Sequence, residues 1–148
     1  MPTENAGKLR IVLDTNVYIS AFTHPQGPPF RLWKQARSGT FRLLVSPAIV
    51  RETAGVLRNT FAWAEDRIIR RAKLLVRLGE VVSPAITLAV FTGADEPDNR
   101  ILECAVTGEA DVIVSGDHGL QRLKVYHSIP IIRPIDALRT LGGLPSRD

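Results

Sequence analysis

The chain has 148 residues, 45% of them hydrophobic and 23% charged, which is the composition of an ordinary globular protein with a core and not of a disordered one. Its single cysteine, Cys104, excludes an internal disulfide and a cysteine-built zinc site, and no apolar run is long enough to cross a membrane. The net charge of +4 comes with 15 arginines and only 4 lysines; arginine is the better fork for phosphate oxygens, which gives weak support to a nucleic-acid partner.

In chain order, residues 1–8 are polar and expected to be loose, and residues 9–14 form a short apolar strand suited to burial on both faces. Thr15 or Asn16 is expected to cap a short helix to about Phe22, followed by a loop over HPQGPP (24–29) and a helix over 30–38 that stops at Gly39. Residues 41–45 are a second strand. Ser46-Pro47 is a helix start, with serine as cap and proline in the first turn of a helix to about Arg58. A further helix spans 64–78, with an apolar face expected from Ile68, Ile69, Ala72, Leu75 and Val76. A strand follows at 80–84, then a polar GADEP turn and a helix over 98–107. Residues 111–115 are the fourth strand, 119–123 a short helix, HSIPIIRP holds a fifth strand, and 135–141 a last helix before a frayed tail from 142. Strands alternate with helices throughout. The expectation is a three-layer, Rossmann-like α/β fold with a mainly parallel sheet, one domain with a core over about 9–141.

The chemistry lies in four acids. Asp14 closes the first strand and Asp117 follows the fourth, and in α/β proteins ligands bind at the carboxyl ends of parallel strands. Glu52 flanks the apolar stripe of its helix, and Asp98 lies one turn ahead of the buried face marked by Ile101, Leu102, Ala105 and Val106. Each has a structural explanation when taken alone: a cap, a boundary glutamate, a helix-dipole partner. Together they form a set of hard oxygen donors suited to Mg²⁺ or Mn²⁺, the ions used for metal-assisted phosphodiester cleavage. Asn16 is expected to donate its amide to a carboxylate, and Ser115 to orient a carboxylate or a metal-bound water. Asp95 and Glu96 are nearby acids outside the helical register. His24, His118 and His127 are scattered without ligand spacing. Arg70, Lys73 and Arg77, flanked by Arg67 and Arg71, form a basic stripe that suits RNA phosphates or an acidic partner segment as well as plain solvent. Trp33 and Trp63 read as core or interface residues.

VLDTNVYISAF, SPAIVRE, DNRILECAV and VIVSGDHGL occur in an order that resembles PIN-domain proteins of the kind that act as toxins in bacterial toxin–antitoxin pairs, over roughly residues 9–136. The resemblance implies a metal-dependent ribonuclease, often homodimeric and often silenced by an antitoxin; the start MPTENAGKLR has no long apolar run, so a cytoplasmic protein is the expectation. Asp14, Glu52, Asp98 and Asp117 would be its acidic site, with Thr15, Asn16 and Ser115 in support. Family members commonly carry a further aspartate where this chain has Gly119, so one carboxylate is missing from the pattern. A non-catalytic RNA- or partner-binding domain is the competing expectation. A receiver-like phospho-acceptor is more remote, because Thr15-Asn16 stands where it would want acids.

Overall fold

The computed structural model describes residues 7–142; of the tails expected to be loose, 1–8 and 142–148, residues 1–6 and 143–148 lie outside the described residues. The elements run β1 (Arg10–Leu13), α1 (Thr15–Thr23), α2 (Pro28–Arg37), β2 (Arg42–Val45), α3 (Pro47–Asn59), α4 (Glu65–Leu78) and β3 (Glu80–Val81). A 3₁₀ turn (Gly93–Asp95) precedes α5 (Asp98–Thr107), β4 (Val112–Val114), α6 (His118–Gln121), β5 (Val125–Tyr126), β6 (Ile129–Ile132) and α7 (Pro134–Thr140).

The strands form one six-stranded sheet in the order β3-β2-β1-β4-β6-β5, parallel except for the β5–β6 pair. The three central strands, RIVL, RLLV and VIV, are buried almost throughout, because helices cover the faces of a parallel sheet. The chain builds outward from β1 to β2 and β3, then returns to lay β4 on the other side of β1. β1 and β4 are therefore the pair at which strand order reverses, and the crevice beyond their carboxyl ends is where open α/β sheets hold ligands.

Several expected boundaries move. α2 begins at Pro28, inside the segment expected to be loop, because both prolines occupy first-turn positions whose N–H groups have no helical partner anyway. β3 has two residues, not five, although Val82 still donates to the Val45 carbonyl at 2.7 Å. The expected fifth strand is a hairpin: β5 and β6 turn through His127 and Ser128, both left-handed (φ 50° and 65°), the conformation a two-residue hairpin favours. Neither residue is glycine, so the usual signal for such a turn was missing.

α3 is capped as expected, with Ser46 Oγ accepting from the Ile49 N–H at 3.3 Å. On α4 the expected apolar face is only half right. Ile68 and Leu75 are buried, whereas Ile69 and Val76 are 45% and 49% exposed. Cys104 is fully buried and packs as a small hydrophobe, with burial pushing its thiol up to about 12.

Candidate active site

The parallel register of β1 and β4 sets Leu13 beside Val114, so the next residues on each strand, Asp14 and Ser115, emerge side by side. The Asp14 N–H completes the ladder on the Val114 carbonyl at 2.9 Å. Its carboxylate is 4% exposed and held at both oxygens: Oδ1 accepts from the Thr15 N–H at 2.7 Å and Oδ2 from the Ser115 hydroxyl at 2.7 Å. Asp14 is thus itself the cap of α1, which corrects the expectation that Thr15 or Asn16 would free it from that duty. Capping and membership of the acidic group coexist because a carboxylate has lone pairs to spare.

Thr15 instead donates its hydroxyl to Glu52 Oε1 at 2.8 Å, tying α3 to the start of α1. Asn16 also departs from expectation. Its Oδ1 accepts from the Gly116 N–H at 3.3 Å, so it pins the backbone after β4 and not a carboxylate. Ser115 Oγ, besides donating to Asp14, accepts from the Asp117 N–H at 2.9 Å, and Asp117 Oδ2 caps α6 on the Leu120 N–H at 3.2 Å.

Asp14, Glu52, Asp98 and Asp117 line one cleft of about 300 Å³, walled by Ile19, Val56 and Pro97. None of the described residues lining it is basic. Burial pushes the Asp14 carboxyl up to about 6 against the lowering pull of its two hydrogen bonds, and the charges of Asp117 and Glu52 add to the rise. Asp98 is pushed up to about 7, by burial first, then by the charges of Asp14 and Asp117, a shared hydrogen bond with Asp117, and Asp95. The acids therefore repel one another without an internal counter-charge. Among the described residues, no three acidic, histidine or cysteine side chains converge as a ready-made metal cage.

Asp95 also lines the cleft. The sequence reading set it aside because it falls outside the register of α5; the 3₁₀ turn, entered through left-handed Gly93 (φ 64°), brings it round. The segment ahead of this turn is clamped by α5. Asn99, fully buried, accepts from the Val90 and Phe91 N–H groups at 3.0 and 2.9 Å and donates to the Phe91 carbonyl at 2.9 Å, while Glu103 accepts from the Leu88 N–H at 3.0 Å. Glu96 faces elsewhere, pairing with Arg100 at 2.9 Å. At Gly119, a Cβ would meet Asp117 Oδ2 at 2.9 Å and lie 3.7 Å from Asp98 Oδ2, so the position that lacks an acid abuts the acidic pair.

Arg70, Lys73 and Arg77 are not among the cleft's residues. They lie on α4 with Arg67 and Arg71, framing a separate groove of about 480 Å³.

Residues 10–119, most of the chain and all four acids, match the PIN domain model. The chain belongs to the PIN domain family. An uncharacterized protein of Methanocaldococcus jannaschii is 28% identical over 122 residues, covering 79% of this chain and 76% of that one. Among solved structures, one from Pyrobaculum aerophilum matches 97% of this chain and all of its own with a TM-score of 0.60 at 16% identity. VapBC-1 from nontypeable Haemophilus influenzae matches 86% of this chain and 99% of that chain (TM-score 0.58, 17% identity). DNA-bound VapBC from Salmonella typhimurium matches 85% and 98% (TM-score 0.57, 17% identity). At these identities the structures share the fold with this chain.

Proposed function

We propose that the protein is a metal-dependent endoribonuclease, acting as the toxin of a VapBC-like pair and neutralised by a cognate antitoxin. The observation that carries the reading is the uncompensated meeting of Asp14, Glu52, Asp98 and Asp117 in one cleft at the point where strand order reverses. Carboxylates gathered at a cost to stability, with no basic residue among the described residues lining their cleft, suit a positively charged ligand. The all-oxygen donor set fits Mg²⁺ or Mn²⁺. Asp14, Glu52, Asp98 and Asp117 would hold it, with Asp95 at the rim. When bound, such a cation lowers the pKa of water and offsets charge on a phosphate undergoing displacement.

The protein's own part is positioning. Ser115 and the Thr15 N–H keep Asp14 in one rotamer, the Thr15 hydroxyl aims Glu52, and Asn16 fixes the backbone turn that leads to Asp117. The likeness to VapBC structures supports a role within such a pair, and assembly as a homodimer belongs to the same reading. No helix among the described residues is long and apolar enough to cross a membrane, in keeping with a cytoplasmic site of action.

Purified protein is expected to cut single-stranded RNA with Mn²⁺ or Mg²⁺ and to stop with a chelator. Asp14→Asn is expected to lose at least about 100-fold in rate while keeping its circular dichroism spectrum. Unchanged cleavage by that variant would remove the proposal. Gly119 in place of an acid, and the absence of a ready-made cage, favour a second reading as a non-catalytic RNA- or partner-binding domain. RNA binding with no cutting under any divalent ion would select it.

A further inference from the structure

The α4 groove lies beside a pair of aromatic rings with an arginine at each end, a row that the acidic cleft does not use. The Arg67 guanidinium sits 3.6 Å from the Trp63 ring centroid, the Trp63 and Phe22 rings are 6.4 Å apart and tilted by 35°, and Arg71 sits 4.8 Å from the Phe22 centroid. Trp63 is half-buried and Arg67 exposed, whereas the other tryptophan, Trp33, is in the core. The backbone is spent on this placement. Ala62 takes a left-handed conformation (φ 55°), which costs a residue with a Cβ about 1 kcal/mol or more, and the Trp63 N–H is tied to the Leu57 carbonyl at 3.0 Å. Among the described residues, Arg67, Arg71, Lys73 and Arg77 have no acidic partner, and Arg70 alone of the groove's cations is paired, with Asp66 at 3.1 Å. Burial, then the charges of Arg37 and Arg67, disfavour the charged form of Arg71, so the cations here repel one another as the acids do in the cleft.

The row begins where the cleft ends. Ile19 forms a wall of the cleft and Phe22 lies about one turn further along α1; Val56 forms another wall, and Trp63 follows the end of the same helix α3. We propose that Trp63 with Arg67, backed by Phe22 with Arg71, forms a stacking subsite for single-stranded RNA, with Lys73 and Arg77 on its phosphates, seating the strand that enters the acidic cleft; Phe22 itself packs against Trp33, ring centroids 5.0 Å apart. Aromatic planes flanked by arginine suit bases and phosphates together. An acidic peptide would use the cations and leave the rings unused. The inference rests on RNA as the substrate, and its test is separate from cleavage.

The probe is a fluorescein-labelled decamer of uridylate, followed by anisotropy in chelator so that no strand is cut. Arg67→Ala with Arg71→Ala is expected to weaken binding about tenfold or more, with thermal unfolding checked alongside. If the half-buried Arg71 change impairs folding, Arg67→Glu, on an exposed side chain, carries the same expectation. The decamer should quench tryptophan fluorescence in the native chain and not in Trp63→Phe, where only buried Trp33 remains. Arg133→Ala, which removes a surface pair with Asp136, should bind as the native chain does. Binding by the arginine variants within twofold of native would overturn the subsite. So would tighter binding of decaglutamate than of the RNA through the same arginines, which would make the groove a protein-docking surface. If RNA is cut but these variants bind normally, the subsite alone falls; if binding needs Arg67 and nothing is cut, the nuclease reading alone falls.

Discussion

Strand β1 begins with Arg10 and leads into Asp14, and its two ends treat charge in opposite ways. At the amino end Arg10 donates to both oxygens of Glu80, at 3.1 and 2.9 Å, and to the Gly108 carbonyl, while Arg42 approaches Glu80 at 3.4 Å. Arg10 holds the Glu80 carboxyl below its ordinary range, aided by Arg42 and opposed by burial. At the carboxyl end four acids share a cleft with no cation among the described residues lining it, and Asp14 and Asp98 are pushed upward. Charges that serve the fold are paired within it. Charges left to repel one another are kept for something the chain does not itself supply.

The comparison breaks most visibly through activity. Asp98→Asn is expected to cost about 100-fold or more in RNA cleavage, yet to raise the unfolding temperature of the metal-free protein by roughly 3 °C, since it removes a repelled charge. A variant that lost both activity and stability would make the cleft a structural feature like the other end. Next in size, Asn99→Ala should cost about 3 kcal/mol in denaturant unfolding, because the Val90 and Phe91 N–H groups lose a buried acceptor. Its test of the cleft is sharper: hydrogen exchange over 88–97 should rise more than over β1, loosening the rim that carries Asp95.

The pH response differs in sign between the two ends. Asp14 and Asp98, ordinarily near 3.8, are raised to about 6 and about 7 in the folded chain. The fold then holds protons that the unfolded chain has released, so stability falls as pH rises through about 4 to 7. Glu80, lowered in the fold, contributes stability above its ordinary range that is lost on acidification below it. Thermal scans should show Mn²⁺ stabilising the protein more at pH 7.5 than at pH 5, as bound cation replaces bound proton; equal shifts at both would count against the cleft as its site. The smallest effect is Glu80→Gln. About 1 kcal/mol is expected, because the pair is one-third exposed and screened, with RNA cleavage unchanged.

Much of this was legible along the chain. The apolar runs of β1, β2 and β4 and the Ser46-Pro47 start of α3 are local signals: side-chain period, β-branching and capping chemistry act within a few residues. The inward bias of Glu52 and Asp98 could be read from helical spacing for the same reason. Elsewhere the local signals are weak or conflicting. Three residues able to cap stand in a row at 14–16 and spacing does not choose Asp14 among them, a 3₁₀ turn does not obey the helical register that excludes Asp95, and the His127-Ser128 turn lacks glycine.

The sequence by itself determined which segments become strands and helices, and that carboxylates would stand at strand ends, because those choices follow from the chemistry of neighbouring residues. Only the tertiary structure decided that β4 lies against β1, so that Ser115 bonds Asp14 across 101 positions and the four acids share one cleft. It also decided that Phe22, Trp63, Arg67 and Arg71 make one row from two helices and a loop. Strand order and helix packing are settled by the burial of the whole core at once, and no local spacing encodes them.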